Sequence, residues 1–333
     1  MPRGRSAARA IDERAFHAWL AAHLAAGRAG LLPLGDDAAA LRPPRGAVAV
    51  LTTDALAEGT HFLRDSDPTA IGAAAVAVSL SDLAAKGATP AAILLAVLVP
   101  PGTPRSWAVR VVRGAERTAR RFGAAIVGGD TKPGRQRAVV GFALGWGRPE
   151  RLSPRPAARA GDLLVLTGTV GRGGLAAARR RTGAGRRRAL ADLLAVEPRV
   201  AQGRALARYA HAMLDTSDGL AEAARLLAAA SRQRIVVEAE ALPLAPGIVR
   251  TGRPGSAWER IAFFGGDYEL LATLPRDRLS AAQGAVRRAG GRLTSIGVVA
   301  RGRGAVLREA GRERPMPETE WQPFRSPPRH GRS

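Results

Sequence analysis

The sequence predicts an α/β fold in two domains, and three observations carry that expectation. The chain has 333 residues, more than one ordinary hydrophobic core absorbs. Apolar runs of strand length alternate with longer runs whose apolar groups recur at helical spacing. A stretch with several prolines and arginines and no apolar run, Gly147 to Gly161, divides the alternation near mid-chain.

In the first half, residues 11 to 27 space their apolar groups as a helix does and stop at Gly27, and Leu31 to Asp37 reads as a turn. Ala47 to Thr53 predicts a buried strand. Pro68 to Ala85 predicts a helix rich in small residues, its apolar pattern interrupted by Ser79, Ser81 and Asp82. Ala91 to Val99 is a second buried strand, closed by Pro100, Pro101 and Gly102. An amphipathic helix follows over Arg105 to Phe122. Then come a strand from Ala124 into a glycine turn at Gly129 and a strand over Val139 to Gly147. The second half opens with the strand Asp162 to Thr167 and the helix Gly173 to Arg180. Helices near 189 to 209 and 219 to 231 and strands at 233 to 238, 269 to 274 and 294 to 299 complete it. Beyond Gly311 the proline-rich, charged chain reads as irregular. The expected domains are 1–148 and 149–325, with a tail over 326–333.

The composition narrows the functional classes. The formal net charge is +23, yet Lys86 and Lys132 are the only lysines, and the Arg179–Arg181 and Arg186–Arg188 clusters have no aromatic residue interleaved for base stacking. They predict a solvated basic surface that can attract anionic substrates rather than a nucleic-acid groove reader. There is no cysteine, so disulfide and thiolate chemistry are excluded. The most strongly apolar stretch, Ala91 to Val99, is short of a membrane span. Asp12 and Glu13 stand where a signal peptide would need apolar residues. The expected location is the cytoplasm.

Chemistry is concentrated in one recurring design, an apolar run followed by aspartate among Gly, Ser or Thr. It occurs at Gly35-Asp36-Asp37, Thr52-Thr53-Asp54, Ser81-Asp82, Gly128-Gly129-Asp130-Thr131 and Asp215-Thr216-Ser217-Asp218-Gly219, and in similar form at Gly265-Gly266-Asp267. Each alone could be a helix cap or a turn. Together they suit Mg²⁺, which takes oxygen ligands and bridges phosphates through one or two carboxylates per ion. The adjoining glycines let backbone N–H groups approach phosphate oxygens. This is equipment for phosphoryl transfer. No Walker A loop is present, because neither lysine follows a glycine. Gly171-Arg172-Gly173-Gly174-Leu175-Ala176 fits a dinucleotide fingerprint, but an arginine-rich tract follows it instead of a strand ending in an acid.

These residues resemble the thiamine-monophosphate kinase family. The resemblance runs through Gly35 to Ala39, Thr52 to Phe62, Ser79 to Ala88, Val127 to Thr131, Met213 to Leu220 and Gly266 to Leu271, in order, over roughly residues 30 to 325. It implies two aminoimidazole ribonucleotide synthetase-like domains with mixed sheets flanked by helices, and a homodimer joined through the N-terminal domains. The implied activity is ATP-dependent phosphorylation of thiamine monophosphate. The implied metal set is Asp36, Thr53, Asp54, Asp82, Asp130, Asp215 and Asp218, holding several Mg²⁺ ions. Gly129, Asp130, Arg155 and Ser217 match ATP-contacting positions, and His61 and Trp321 match substrate-contacting ones. The family usually carries glutamate where this chain has Gly266, so Asp267 is the expected substitute on that side. The acceptor is itself a phosphate, already anionic, so direct transfer without a catalytic base or phosphoenzyme is expected. The alternatives are another ATP-dependent enzyme of the same superfamily or, more remotely, a basic nucleic-acid-binding protein.

Overall fold

The structure, a computed structural model, describes residues 11–24, 31–32, 34, 37–181, 185–251 and 255–318. It contains two mixed sheets flanked by helices. After helix α1 (Glu13–His23), the first half forms β1 (Val48–Ala57), α2 (Pro68–Ala85), β2 (Thr89–Val99), α3 (Arg105–Arg121), β3 (Ala125–Pro133) and β4 (Ala138–Gly147). These four strands make one sheet in the order β1-β4-β2-β3. The second half forms β5 (Leu163–Thr167), α4 (Arg172–Arg181), α5 (Arg186–Leu194), α6 (Val200–Leu206), β6 (Ala212–Asp215), α7 (Leu220–Ser231) and β7 (Arg234–Glu238). It continues with α8 (Ala257–Ala262), β8 (Leu270–Leu274), α9 (Leu279–Arg288), β9 (Leu293–Ala300), β10 (Gly304–Glu309) and β11 (Arg312–Pro315). Its seven-stranded sheet runs β11-β10-β7-β9-β5-β8-β6.

Helix α2 organises both halves. Asp67 caps it by accepting from Thr69 N at 3.1 Å, and Pro68 sits in its first turn, where a missing N–H costs nothing. Fourteen of its eighteen residues are buried, so the helix is enclosed on every side. It is long and apolar enough to cross a membrane, and packing inside the protein accounts for that. Ser79 and Ser81 do not interrupt it. They are fully buried, and their hydroxyls donate to Gly141 O at 3.1 Å and Asp215 Oδ2 at 2.7 Å. Small residues let its neighbours approach. A Cβ on Gly72 would lie 1.8 Å from Val111 O of α3, and one on Gly114 would lie 2.0 Å from Thr69 O. Helix α6 of the second half docks on it in the same way, since a Cβ on Gly203 would lie 2.1 Å from Ala84 O. One buried apolar cluster therefore runs from the first sheet through α2 to Leu163, Val165 and Met213 of the second. Leu164 and Leu166, alternating with them on β5, belong to a second cluster on the far face.

Two expectations are corrected, and one strand is added. Gly128, Gly129 and Asp130 lie inside β3 rather than in a turn after it, because the strand continues beside β2 past a bulge at Ile93/Leu94. Residues 312–315, expected to be irregular, pair with β10 across the two-residue turn Ala310-Gly311, both at positive φ. Charge pairing holds that hairpin: Arg308 binds Glu238 and Glu313 at 2.7 Å each, and Arg234 also pairs with Glu313. Strand β6 is the short apolar run before Asp215 and is buried throughout.

Gly203→Ala should wedge α6 from α2 at a cost of about 1–3 kcal/mol, the usual range for overpacking. A thermal melt should show Tm lowered by several degrees; an unchanged Tm would mean that the contact yields freely.

Candidate functional site

The docking of the two halves leaves a cavity of about 280 Å³ between them. Asp54 of β1 and Asp82 of α2 enter from one side, and Asp215, Ser217 and Asp218 from the β6–α7 turn on the other. Strand alternation turns Thr52 and Asp54 to the same face, and Thr52 Oγ1 donates to Asp82 Oδ2 at 2.5 Å. Asp215 accepts from Ser81 Oγ on Oδ2 and from Ser217 Oγ on Oδ1, at 2.7 and 2.9 Å. Gly219 closes that turn at φ +93, where a Cβ would lie 2.3 Å from Phe263 O. The turn is braced from behind: Glu269 N donates to Thr216 Oγ1, and the buried Glu269 carboxylate accepts from Arg199 and Thr167.

The cavity is electrostatically unbalanced. Burial, and next the nearby Asp82, push the Asp54 carboxyl up to about 6, and its Oδ2 is buried without a hydrogen-bond partner. Burial also pushes Asp215 upward against its serine hydrogen bonds, and Asp218 upward with Glu222 adding to the effect. Beneath them Lys86 Nζ donates to Met213 O at 2.7 Å and Ser153 O at 3.2 Å, tying α2 to β6 and to the connection between the domains. Burial, with Arg155 nearby, lowers the Lys86 ammonium to about 8. Carboxylates that face one another and resist ionisation are relieved by a hard cation. Among the described residues no three such groups enclose an ion by themselves. The donor set therefore fits Mg²⁺ ions whose remaining ligands come from water and phosphate.

The other predicted residues are distributed unevenly. His61 lines the same cavity; its Nδ1 accepts from Ala57 N at 3.1 Å, which leaves the proton on Nε2, and burial lowers its pKa. Arg155 lies beside Asp215, Ser217 and Asp218 in a small adjoining cavity. Thr53 points to the opposite sheet face from Asp54 and donates to Gly141 O, so Thr52 is the hydroxyl on the acidic side. Gly129 and Asp130 line a different cavity, of about 750 Å³, between the sheet and α1, and Asp130 pairs with Lys132 at 2.9 Å. Glycine at 129 is required by close strand approach, since a Cβ would lie 2.0 Å from Leu95 O. Asp36 and Trp321 lie outside the described residues.

Asp267 does not face the cavity. It is buried, and it accepts from Gly171 N at 2.7 Å and Gly173 N at 2.9 Å. The expectation that it replaces a substrate-facing glutamate is corrected, because both oxygens are spent on the backbone. The same carboxylate disposes of the dinucleotide fingerprint, since it occupies the N-terminus of α4 where a pyrophosphate would bind. Those glycines serve packing: a Cβ on Gly173 would lie 2.0 Å from Gly265 O, and one on Gly174 2.1 Å from Ile261 O. Sequence reasoning missed Thr52, Ser81, Lys86 and Tyr268. Thr52 and Ser81 sit inside the aspartate motifs already singled out, where strand and helix periodicity points them toward the carboxylates, and Lys86 and Tyr268 sit in the longer resembling runs 79–88 and 266–271.

Residues 35–146 match the family described as AIR synthase related protein, N-terminal domain, and residues 159–309 match its C-terminal domain. A thiamine-monophosphate kinase from Synechococcus elongatus is 36% identical over 275 residues, covering 75% of this chain and 83% of that protein. The crystal structure of thiamine-monophosphate kinase from Stenotrophomonas maltophilia superposes with a TM-score of 0.78 at 31% identity, covering 90% of this chain and 97% of the other. A structure described as AaThiL complexed with AMPPCP and TMP superposes with a TM-score of 0.67 at 29% identity, covering 81% and 86%. Two matched domains, a cleft lined by aspartates from both, and relatives aligned across most of their length place this chain in the thiamine-monophosphate kinase family.

Proposed function

We propose that this chain is a kinase that transfers a phosphoryl group from ATP to thiamine monophosphate, forming thiamine diphosphate in the cleft between its domains. The observation that carries the reading is the convergence of Asp54 and Asp82 with Asp215 and Asp218 across the domain boundary, with the Asp54 carboxyl held near 6 and one of its oxygens unpartnered. Asp54, Asp82, Asp215 and Asp218 would hold Mg²⁺, with Asp36 a further candidate. Held by these residues, Mg²⁺ would offset the repulsion between donor and acceptor phosphates and stabilise charge on the moving group.

The protein's own groups divide the remaining work. Ser81 and Ser217 orient the Asp215 carboxylate, and Thr52 orients Asp82. Arg155 supplies positive charge beside Asp218 for the ATP phosphates, with Ser217 at the same turn. His61 meets the acceptor substrate, and Trp321 is retained as a second contact. Asp267 holds α4 in place and touches no substrate in this reading. The acceptor oxygen is anionic, so transfer is direct and no residue is assigned as base or nucleophile.

We take the enzyme to be a cytoplasmic homodimer. The outer face of the first sheet supports the dimer, with Leu51 and Leu94 exposed on it and Leu51 at 56%. Gly129 and Asp130, on edge strand β3, keep the nucleotide and metal roles that the resemblance implies.

Asp54→Asn and Asp218→Asn should each lower kcat/KM about 10²-fold or more, the scale seen when a group stabilising transition-state charge is lost. Coupled ATP consumption reads the loss, and normal Mg²⁺-dependent turnover in both variants would end the metal-cleft reading. In the same assay thiamine monophosphate should far exceed other phosphorylated acceptors, and no phosphorylated protein should be trapped.

The raised Asp54 pKa makes a separate prediction about stability. Between its ordinary 3.8 and about 6 the folded protein binds a proton that the unfolded chain does not. This contribution is therefore full below 3.8 and is lost as pH rises through 6. Added Mg²⁺ should raise Tm more at pH 7.5 than at pH 5, and Asp54→Asn should flatten the difference; calorimetry with and without Mg²⁺ measures both.

A further inference from the structure

Tyr268 lines the acidic cavity in a backbone conformation that a bulky residue seldom adopts. Its φ is +54, in the left-handed region that disfavours side chains with a Cβ. Anchors on both sides impose this. Asp267 before it is fixed by the amides of Gly171 and Gly173. Glu269 after it is fixed through its carboxylate by Arg199 and Thr167 and through its amide by Thr216. Both neighbours turn their side chains away from the cavity, and the residue between them faces it beside Asp54, Asp82, Asp215 and Asp218. Local strain of this kind persists where the surroundings over-determine it and marks functional sites.

Among the described residues nothing hydrogen-bonds the Tyr268 hydroxyl, although the residue is half-buried. Burial and the surrounding carboxylates hold its pKa above the usual phenol value, so it keeps its proton and acts as a neutral donor. The cavity lining combines apolar groups, among them Leu193, Leu194, Val196 and Phe264, with the carboxylates and Tyr268. Such a lining suits a substrate with an organic body and a phosphate end, and Tyr268 is a neutral donor for the phosphate.

We propose that the Tyr268 hydroxyl donates a hydrogen bond to the phosphate of the acceptor substrate and so positions it for transfer. This rests on the kinase reading above. An ATP phosphate offers the same acceptor chemistry, so the test separates the two sources. Full-length wild type and Tyr268→Phe are titrated calorimetrically with thiamine monophosphate, and separately with a non-hydrolysable ATP analogue, both in Mg²⁺. Thiamine, which lacks the phosphate, is tested as a competitive inhibitor.

The expected result is affinity for thiamine monophosphate weakened about 10- to 100-fold, the scale of a lost hydrogen bond to a charged group. The Ki of thiamine, the affinity for the ATP analogue and Tm should stay unchanged. Three outcomes overturn the proposal: unchanged affinity for thiamine monophosphate, an equal loss for thiamine, or a loss confined to the ATP analogue. If the wild type itself fails to bind thiamine monophosphate, the kinase reading falls and this proposal with it. If the wild type binds thiamine monophosphate and the variant binds it equally well, this proposal alone falls.

Discussion

Almost everything functional in this protein depends on the burial of one helix between two domains. Helix α2 cannot bury its apolar circumference against a single four-stranded sheet, so α3 covers one flank and the second domain another. Glycines on the partner helices let those contacts close to backbone distance, at Gly114 of α3 and Gly203 of α6. Polar groups on so enclosed a helix must find partners inside the protein. Ser81 and Lys86 find theirs on the second domain, at Asp215 and at Met213 O. Hydrophobic closure and assembly of the acidic cleft are consequently the same event.

That coupling gives the cleft its electrostatic character. Carboxylates brought together by packing repel one another and lose hydration, so Asp54, Asp215 and Asp218 all shift toward the protonated form. A protein built only for stability would gain by replacing such groups. Their retention makes sense where cations and phosphates complete the site. The second domain stiffens its half by buried pairing: Arg199 with Glu269 braces the turn that carries Asp215, Ser217 and Asp218.

The aspartate turns first read as equivalent stations in one signature are physically of three kinds. Those at 54, 82, 215 and 218 face the cleft. Asp130 stands on an exposed edge strand above a second cavity. Asp267 has become an internal helix anchor, its carboxylate doing for α4 what a bound anion does in a nucleotide fold. Similar local sequence therefore hides different roles, because a turn that presents a carboxylate does not specify what lies opposite it.

The sequence by itself determined the alternation of elements, because that is a local pattern of periodicity and turn chemistry, and its motifs carried the resemblance to the family. Helix α2 ran over Pro68–Ala85 as its N-cap aspartate, first-turn proline and apolar content required. Only the tertiary structure decided which carboxylates meet. Thr52 rather than Thr53 faces Asp82 because of strand alternation within a sheet covered on one side. The strand at 312–315 escaped detection because it has no apolar run of its own and is held through ion pairs from three strands. Tyr268 was invisible as a site residue because its orientation comes from anchors far away in the chain, at Gly171, Arg199 and Thr216. Spacing along a chain records what neighbours can do together, whereas the cleft is made by residues 134 apart, as Ser81 and Asp215 are.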